Sequence, residues 1–74
     1  MPKTVSGEEA MKILVKQFGF VFVSQKGSHA KLKKNSGNGT VVTIVPLHRE
    51  LARGTLNGVL ELAKVEFKEF EKFL

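Results

Sequence analysis

The apolar positions of this chain change their spacing along its length, and each change marks an element. Ala10, Met11, Leu14, Val15 and Phe18 follow the i, i+3, i+4 spacing of one helical face. Ahead of them, Ser6-Gly7-Glu8-Glu9 has the form of a capping box. Ser6 would accept from the Glu9 amide, and the Glu9 carboxylate would reach back to the Ser6 amide. Gly19 supplies a left-handed stop. The pattern predicts a first helix over 7–18. Phe20 to Gln25 is aromatic and β-branched, which predicts a strand. Its start is apolar on both faces, as expected of a strand that is central or covered on both sides there.

Lys26-Gly27-Ser28 reads as a turn. From His29 to Lys34 the period is two: Ala30 and Leu32 point one way, His29, Lys31 and Lys33 the other. Residues 35–39, Asn-Ser-Gly-Asn-Gly, read as a hairpin loop. Thr40 to Val45 predicts a third strand, ended by Pro46, which cannot donate to a sheet ladder. Leu47 to Arg53 reads as loop. Residues 55–64 predict a helix with Leu56, Val59, Leu60 and Ala63 on one face. Gly58 would weaken it by about 1 kcal/mol relative to alanine, unless it permits a close approach to the sheet. Phe67, Phe70 and Phe73 recur at every third position in a short terminal helix. That stripe suits either core packing or a partner surface. The order α-β-β-β-α with a tail helix predicts one α+β domain over 1–74. Its three-stranded antiparallel sheet would carry both main helices on one face.

Composition narrows what such a domain can do. A chain of 74 residues buries only roughly 60–65% of its unfolded surface, so a deep substrate cavity is not expected. There is no cysteine, hence neither a disulfide framework nor a zinc-thiolate site. An intracellular, cytoplasmic setting is expected, because small secreted domains usually need such staples. Met1-Pro2-Lys3 leads straight into the polar helix start with no apolar signal region, and no membrane span is expected. The charge is uneven. Between Ser24 and Arg53 six cations oppose Glu50 alone, while lysines and glutamates balance elsewhere, so the whole net charge of +5 lies mid-chain. A localised basic face points to a polyanion, and nucleic acid is the commonest one.

The candidate chemistry lies in that basic stretch. His29 follows Gly27-Ser28 and sits among Lys26, Lys31 and Lys33. Same-face residues on a strand are about 6.8 Å apart, comparable to the phosphate spacing of a nucleic-acid strand. Gly27 allows close approach of a ligand backbone, Ser28 can donate to a phosphate oxygen, and the lysines can hold phosphates. Histidine exchanges protons near neutral pH. RNA brings its own nucleophile, the 2′-hydroxyl, so a positioned histidine and a phosphate clamp suffice to cleave it. His48 is a possible second acid or base, or a polar loop residue that fixes the turn. No metal site and no cofactor are expected: there is no Asp, no H-x-x-x-H pair and no phosphate-binding loop.

Three segments in order carry a resemblance: Gln25-Lys26-Gly27-Ser28-His29 after a strand, Val45-Pro46-Leu47-His48 ending the third, and Gly54-Thr55-Leu56 opening the next helix. Together they resemble the HicA (YcfA-like) toxin family, over nearly the whole chain from Ser6 to Ala63. The chain departs from the family pattern at Ala30-Lys31-Leu32-Lys33 and at Ala63-Lys64. The resemblance implies a double-stranded-RNA-binding-domain-like fold and the toxin of a toxin–antitoxin pair acting in stress responses. It further implies an mRNA-cleaving endoribonuclease that needs no metal, with His29 as the catalytic histidine and a HicB-like antitoxin covering the site. Folds of this kind meet RNA through the first helix, the first hairpin loop and the start of the last main helix. Lys26 to His29 lie at the second of these places, Arg49 and Arg53 at the third. Two other readings remain beside the nuclease: a non-catalytic RNA-binding module, and a chain that acts mainly as half of a protein complex.

Overall fold

A computed structural model describes residues 4–74; Met1, Pro2 and Lys3 of the polar lead-in lie outside the described residues. The capping box forms as its sequence requires. Ser6 Oγ accepts from the Glu9 amide at 3.0 Å, and Glu9 Oε1 accepts from the Ser6 amide at 3.1 Å. Helix α1 runs Gly7–Phe18 and ends on Gly19 at φ 77°, the left-handed position that glycine adopts without strain. Three strands follow: β1 (Val21–Lys26), β2 (His29–Ser36) and β3 (Gly39–Pro46). Helix α2 spans Arg53–Ala63 and a short α3 spans Phe67–Glu71. The strands form one antiparallel sheet in the order β1-β2-β3. The α-β-β-β-α layout of the sequence reading is the observed one.

Alternation decides which sheet face is covered. Ala30 and Leu32 of β2 and Thr43 and Val45 of β3 are fully buried. Against them pack Ala10 and Leu14 of α1 and Leu56, Val59, Leu60 and Ala63 of α2. Thr43 is a polar residue in that layer. Its Oγ1 donates to the Val59 carbonyl at 2.8 Å, so the hydroxyl is satisfied where β3 passes under α2. The terminal stripe divides. Phe70 is fully buried in the core, while Phe73 stays partly exposed and meets the Phe18 ring edge-on at 5.7 Å. No described helix is long and apolar enough to cross a membrane.

Several expectations are corrected. Strand β1 is neither central nor covered on both sides: among the described residues it pairs only with β2, and Val21, Phe22 and Val23 are exposed. The buried aromatic of that segment is Phe20, just ahead of the strand. A bulge between Phe22 and Ser24 breaks the register, so the apolar run cannot be assigned to faces by simple alternation. The loop over 35–39 shrinks to the turn Gly37-Asn38, because Ser36 pairs with Gly39 and Asn35 with Thr40. Helix α2 begins at Arg53 rather than 55. Gly58 makes no close approach: a Cβ there would meet nothing within 4 Å.

Candidate active site

The sheet places the basic row of β2 where its period requires. Residues paired across an antiparallel ladder share a face. His29 lies between Lys26 and Pro46, Lys31 between Ser24 and Ile44, and Lys33 between Val21 and Val42. His29, Lys31 and Lys33 are exposed on the face that the helices leave open. Lys34, the next residue, points to the other side, and its Nζ stands 5.8 Å from the centre of the Phe20 ring. The open face therefore carries a lysine row flanked by the partly exposed aliphatic side chains of Val42 and Ile44.

His29 begins the central strand, so it stands at one end of the sheet. Gly27 and Ser28 form the turn before it, with Gly27 at φ 59°. Glycine is the residue that the first position of such a tight hairpin turn favours. Beyond the sheet end, the Leu47 amide donates to the Ser28 carbonyl at 2.6 Å. That bond lays the segment after β3 alongside the Gly27-Ser28 turn. Pro46 ends the ladder, Leu47 binds the turn, and His48 comes next. The result is a pair of histidines whose ring centres are 6.3 Å apart, with planes inclined at 71°. Both are exposed. Residues 19 positions apart in sequence thus share one site, which no local pattern in the sequence gave.

The remaining expected residues separate into two groups. Lys26 pairs directly with His29, and Ser28 adjoins it in the turn. Arg49 is exposed beside His48, where a shallow groove of about 330 Å³ is lined also by Ser6, Glu8, Glu9 and Lys12. Arg53 is held elsewhere. Its guanidinium carbon lies 4.2 Å from the centre of the Phe67 ring, in a groove with Val5, Leu56 and Leu74. That geometry is a cation–π contact between the start of α2 and the start of α3.

Gly7 joins the site although it was not among the expected residues. It is buried at the head of α1, and its amide donates to the His48 carbonyl at 2.9 Å. Its signal in the sequence was a glycine directly after the Ser6 cap, at the first position of a helix whose capping box and apolar face are otherwise strong.

The arrangement offers two proton-exchanging rings a few ångströms apart, next to lysines that can neutralise a phosphodiester. Among the described residues, no three His, Cys, Asp or Glu side chains gather in a way that could hold a metal ion. No curated protein matches the chain. A family model described as the HicA toxin of bacterial toxin–antitoxin matches residues 7–65, a stretch that begins at Gly7 and includes both histidines.

Proposed function

Because this chain belongs to the HicA toxin family of bacterial toxin–antitoxin systems, we propose that it is an endoribonuclease that cleaves messenger RNA without a metal. His29 and His48 are its acid–base pair. The observation that carries this reading is the 6.3 Å between the two rings at the end of a lysine-bearing sheet face. One imidazole takes the proton of a 2′-hydroxyl as that oxygen attacks the adjacent phosphorus. The other gives a proton to the leaving 5′-oxygen. The new P–O2′ bond forms as the P–O5′ bond breaks, which leaves a 2′,3′-cyclic phosphate on one fragment and a 5′-hydroxyl on the other.

Positioned proton transfer contributes about 10²–10⁴-fold, equivalent to about 3–5 kcal/mol of barrier. Lys26, beside His29, and the Ser28 hydroxyl stabilise the charge that grows on the phosphorane oxygens. Lys31 and Lys33 hold the strand on one side of the histidines, and Arg49 holds it on the other. The toxin–antitoxin family implies an antitoxin partner. We assign that role to a HicB-like protein that covers the histidine pair, and the setting to the cytoplasm.

The test is incubation of the purified protein with labelled RNA in EDTA. Cleavage to 2′,3′-cyclic phosphate ends is expected, with a loss of about 10²-fold or more in both His29→Ala and His48→Ala and little change in RNA affinity. Binding without cleavage would instead make the domain a non-catalytic RNA-binding module. A His29→Ala variant as active as the parent would sink the mechanism.

A further inference from the structure

The segment that carries His48 rests on a residue with no side chain. A Cβ built on Gly7 would stand 1.9 Å from the Pro46 carbonyl oxygen and 2.7 Å from the Leu47 Cα, where real Cβ atoms essentially never come under 3.0 Å. Both neighbours are backbone atoms, which cannot swing aside as a long side chain can. Gly7 does not adopt a positive φ, so backbone conformation does not require glycine there. Nor is it the N-cap, where glycine is favoured: that position is Ser6. Only the close approach accounts for the residue.

That approach has a direct consequence for the site. The Gly7 amide donates to the His48 carbonyl, while on the far side the Leu47 amide binds the Ser28 carbonyl. The Pro46-Leu47-His48 segment is thus clamped between the head of α1 and the turn that introduces His29. We infer that Gly7 is a positioning residue that sets His48 against His29. The inference rests on the acid–base reading of the pair given above.

A methyl group on Gly7 must push α1 and this segment apart by about an ångström to clear the Pro46 oxygen, since 1.9 Å has to reach at least 3.0 Å. His48 moves with its own carbonyl. A misplacement of about 1 Å in a reacting constellation can cost about 10²-fold in rate.

The experiment is a double-mutant cycle of Gly7→Ala with His48→Ala, read by single-turnover cleavage of labelled RNA, with circular dichroism to check folding. Gly7→Ala is expected to lower the cleavage rate by about 10²-fold in the parent and by no more than about 2-fold when His48 is already alanine. Such non-additivity is what residues acting as one unit produce. A purely structural defect would cost the same in both backgrounds, and equal losses therefore overturn the inference, as does an undiminished Gly7→Ala rate. A second variant guards against misfolding: an ester in place of the Ser6–Gly7 amide removes the donated N–H and adds no bulk. It is expected to slow cleavage severalfold in the parent and not at all in the His48→Ala background; equal slowing in both overturns the inference. If His48→Ala alone keeps full activity, the acid–base reading has failed, an outcome distinct from loss of coupling between the two residues.

Discussion

The alternation along β2 makes a quantitative prediction about salt. Lys33 and Lys34 are neighbours in sequence, yet Lys33 lies on the open face with His29 and Lys31, whereas Lys34 lies over Phe20. If the open face holds a single RNA strand, Lys26, Lys31, Lys33 and Arg49 supply four phosphate contacts. Each contact on a single strand contributes about −0.7 to the slope of log affinity against log salt, so the parent slope should be about −2.8. Raising salt from about 50 to 200 mM would then weaken binding roughly 50-fold. Removing two contacts with Lys31→Ala and Lys33→Ala should bring the slope to about −1.4 and the same salt step to roughly 7-fold. Lys34→Ala removes the same formal charge from the same strand and should leave the slope near its parent value. The assay is fluorescence anisotropy of a labelled, unstructured RNA with His29→Ala protein, which prevents cleavage during titration. Equal slope changes for Lys33→Ala and Lys34→Ala would refute the reasoning, because net charge rather than one sheet face would then govern binding. A slope unchanged in the double variant would remove the lysine row from the site altogether.

Two further expectations concern stability. Gly58 is exposed in the interior of α2 and its absent Cβ would meet nothing within 4 Å, so Gly58→Ala should stabilise the fold by about 0.5–1 kcal/mol, seen as a higher denaturation midpoint at unchanged m. Thr43→Val keeps the volume but removes the hydroxyl that bonds the Val59 carbonyl; it should cost about 1 kcal/mol, or roughly 4–8 °C in Tm for a domain of this size, and a neutral result would show that bond to be dispensable.

What could be read from the sequence follows from how local each cause is. The capping box of Ser6 and Glu9, the Gly19 stop and the alternation of His29 to Lys33 are set by residues a few positions apart, and all appear as read. The buried face of α2 was likewise legible from Leu56, Val59, Leu60 and Ala63. The misreadings involve causes beyond a local window. Val21 and Phe22 look like an interior strand, but connectivity puts β1 at the edge, where each is 51% exposed. Residues 35–39 are all loop-formers by type, yet the pairing of Asn35 with Thr40 carries the ladder through most of them. Within the site, His29 and its lysines were legible because one strand bears them. The approach of His48 was not, because it depends on the Leu47–Ser28 bond and on a helix head without a side chain. Arg53 was grouped with the RNA-facing residues by its charge and by its place at the start of the last main helix, and its ring partner Phe67 lies 14 positions further along.

Helix α3 lies wholly outside the stretch 7–65 that the family description matches. Yet Phe70 is fully enclosed, Phe73 meets Phe18 of α1, and Phe67 receives Arg53 of α2. A domain of this size has only about 4–11 kcal/mol of stability in total. Emptying the place of one enclosed phenylalanine removes about 3–5 kcal/mol. A large share of the fold's stability therefore lies beyond the matched stretch. A chain trimmed to the matched stretch would retain both histidines and every lysine of the open face, and would lose the latch that fastens the two long helices to each other.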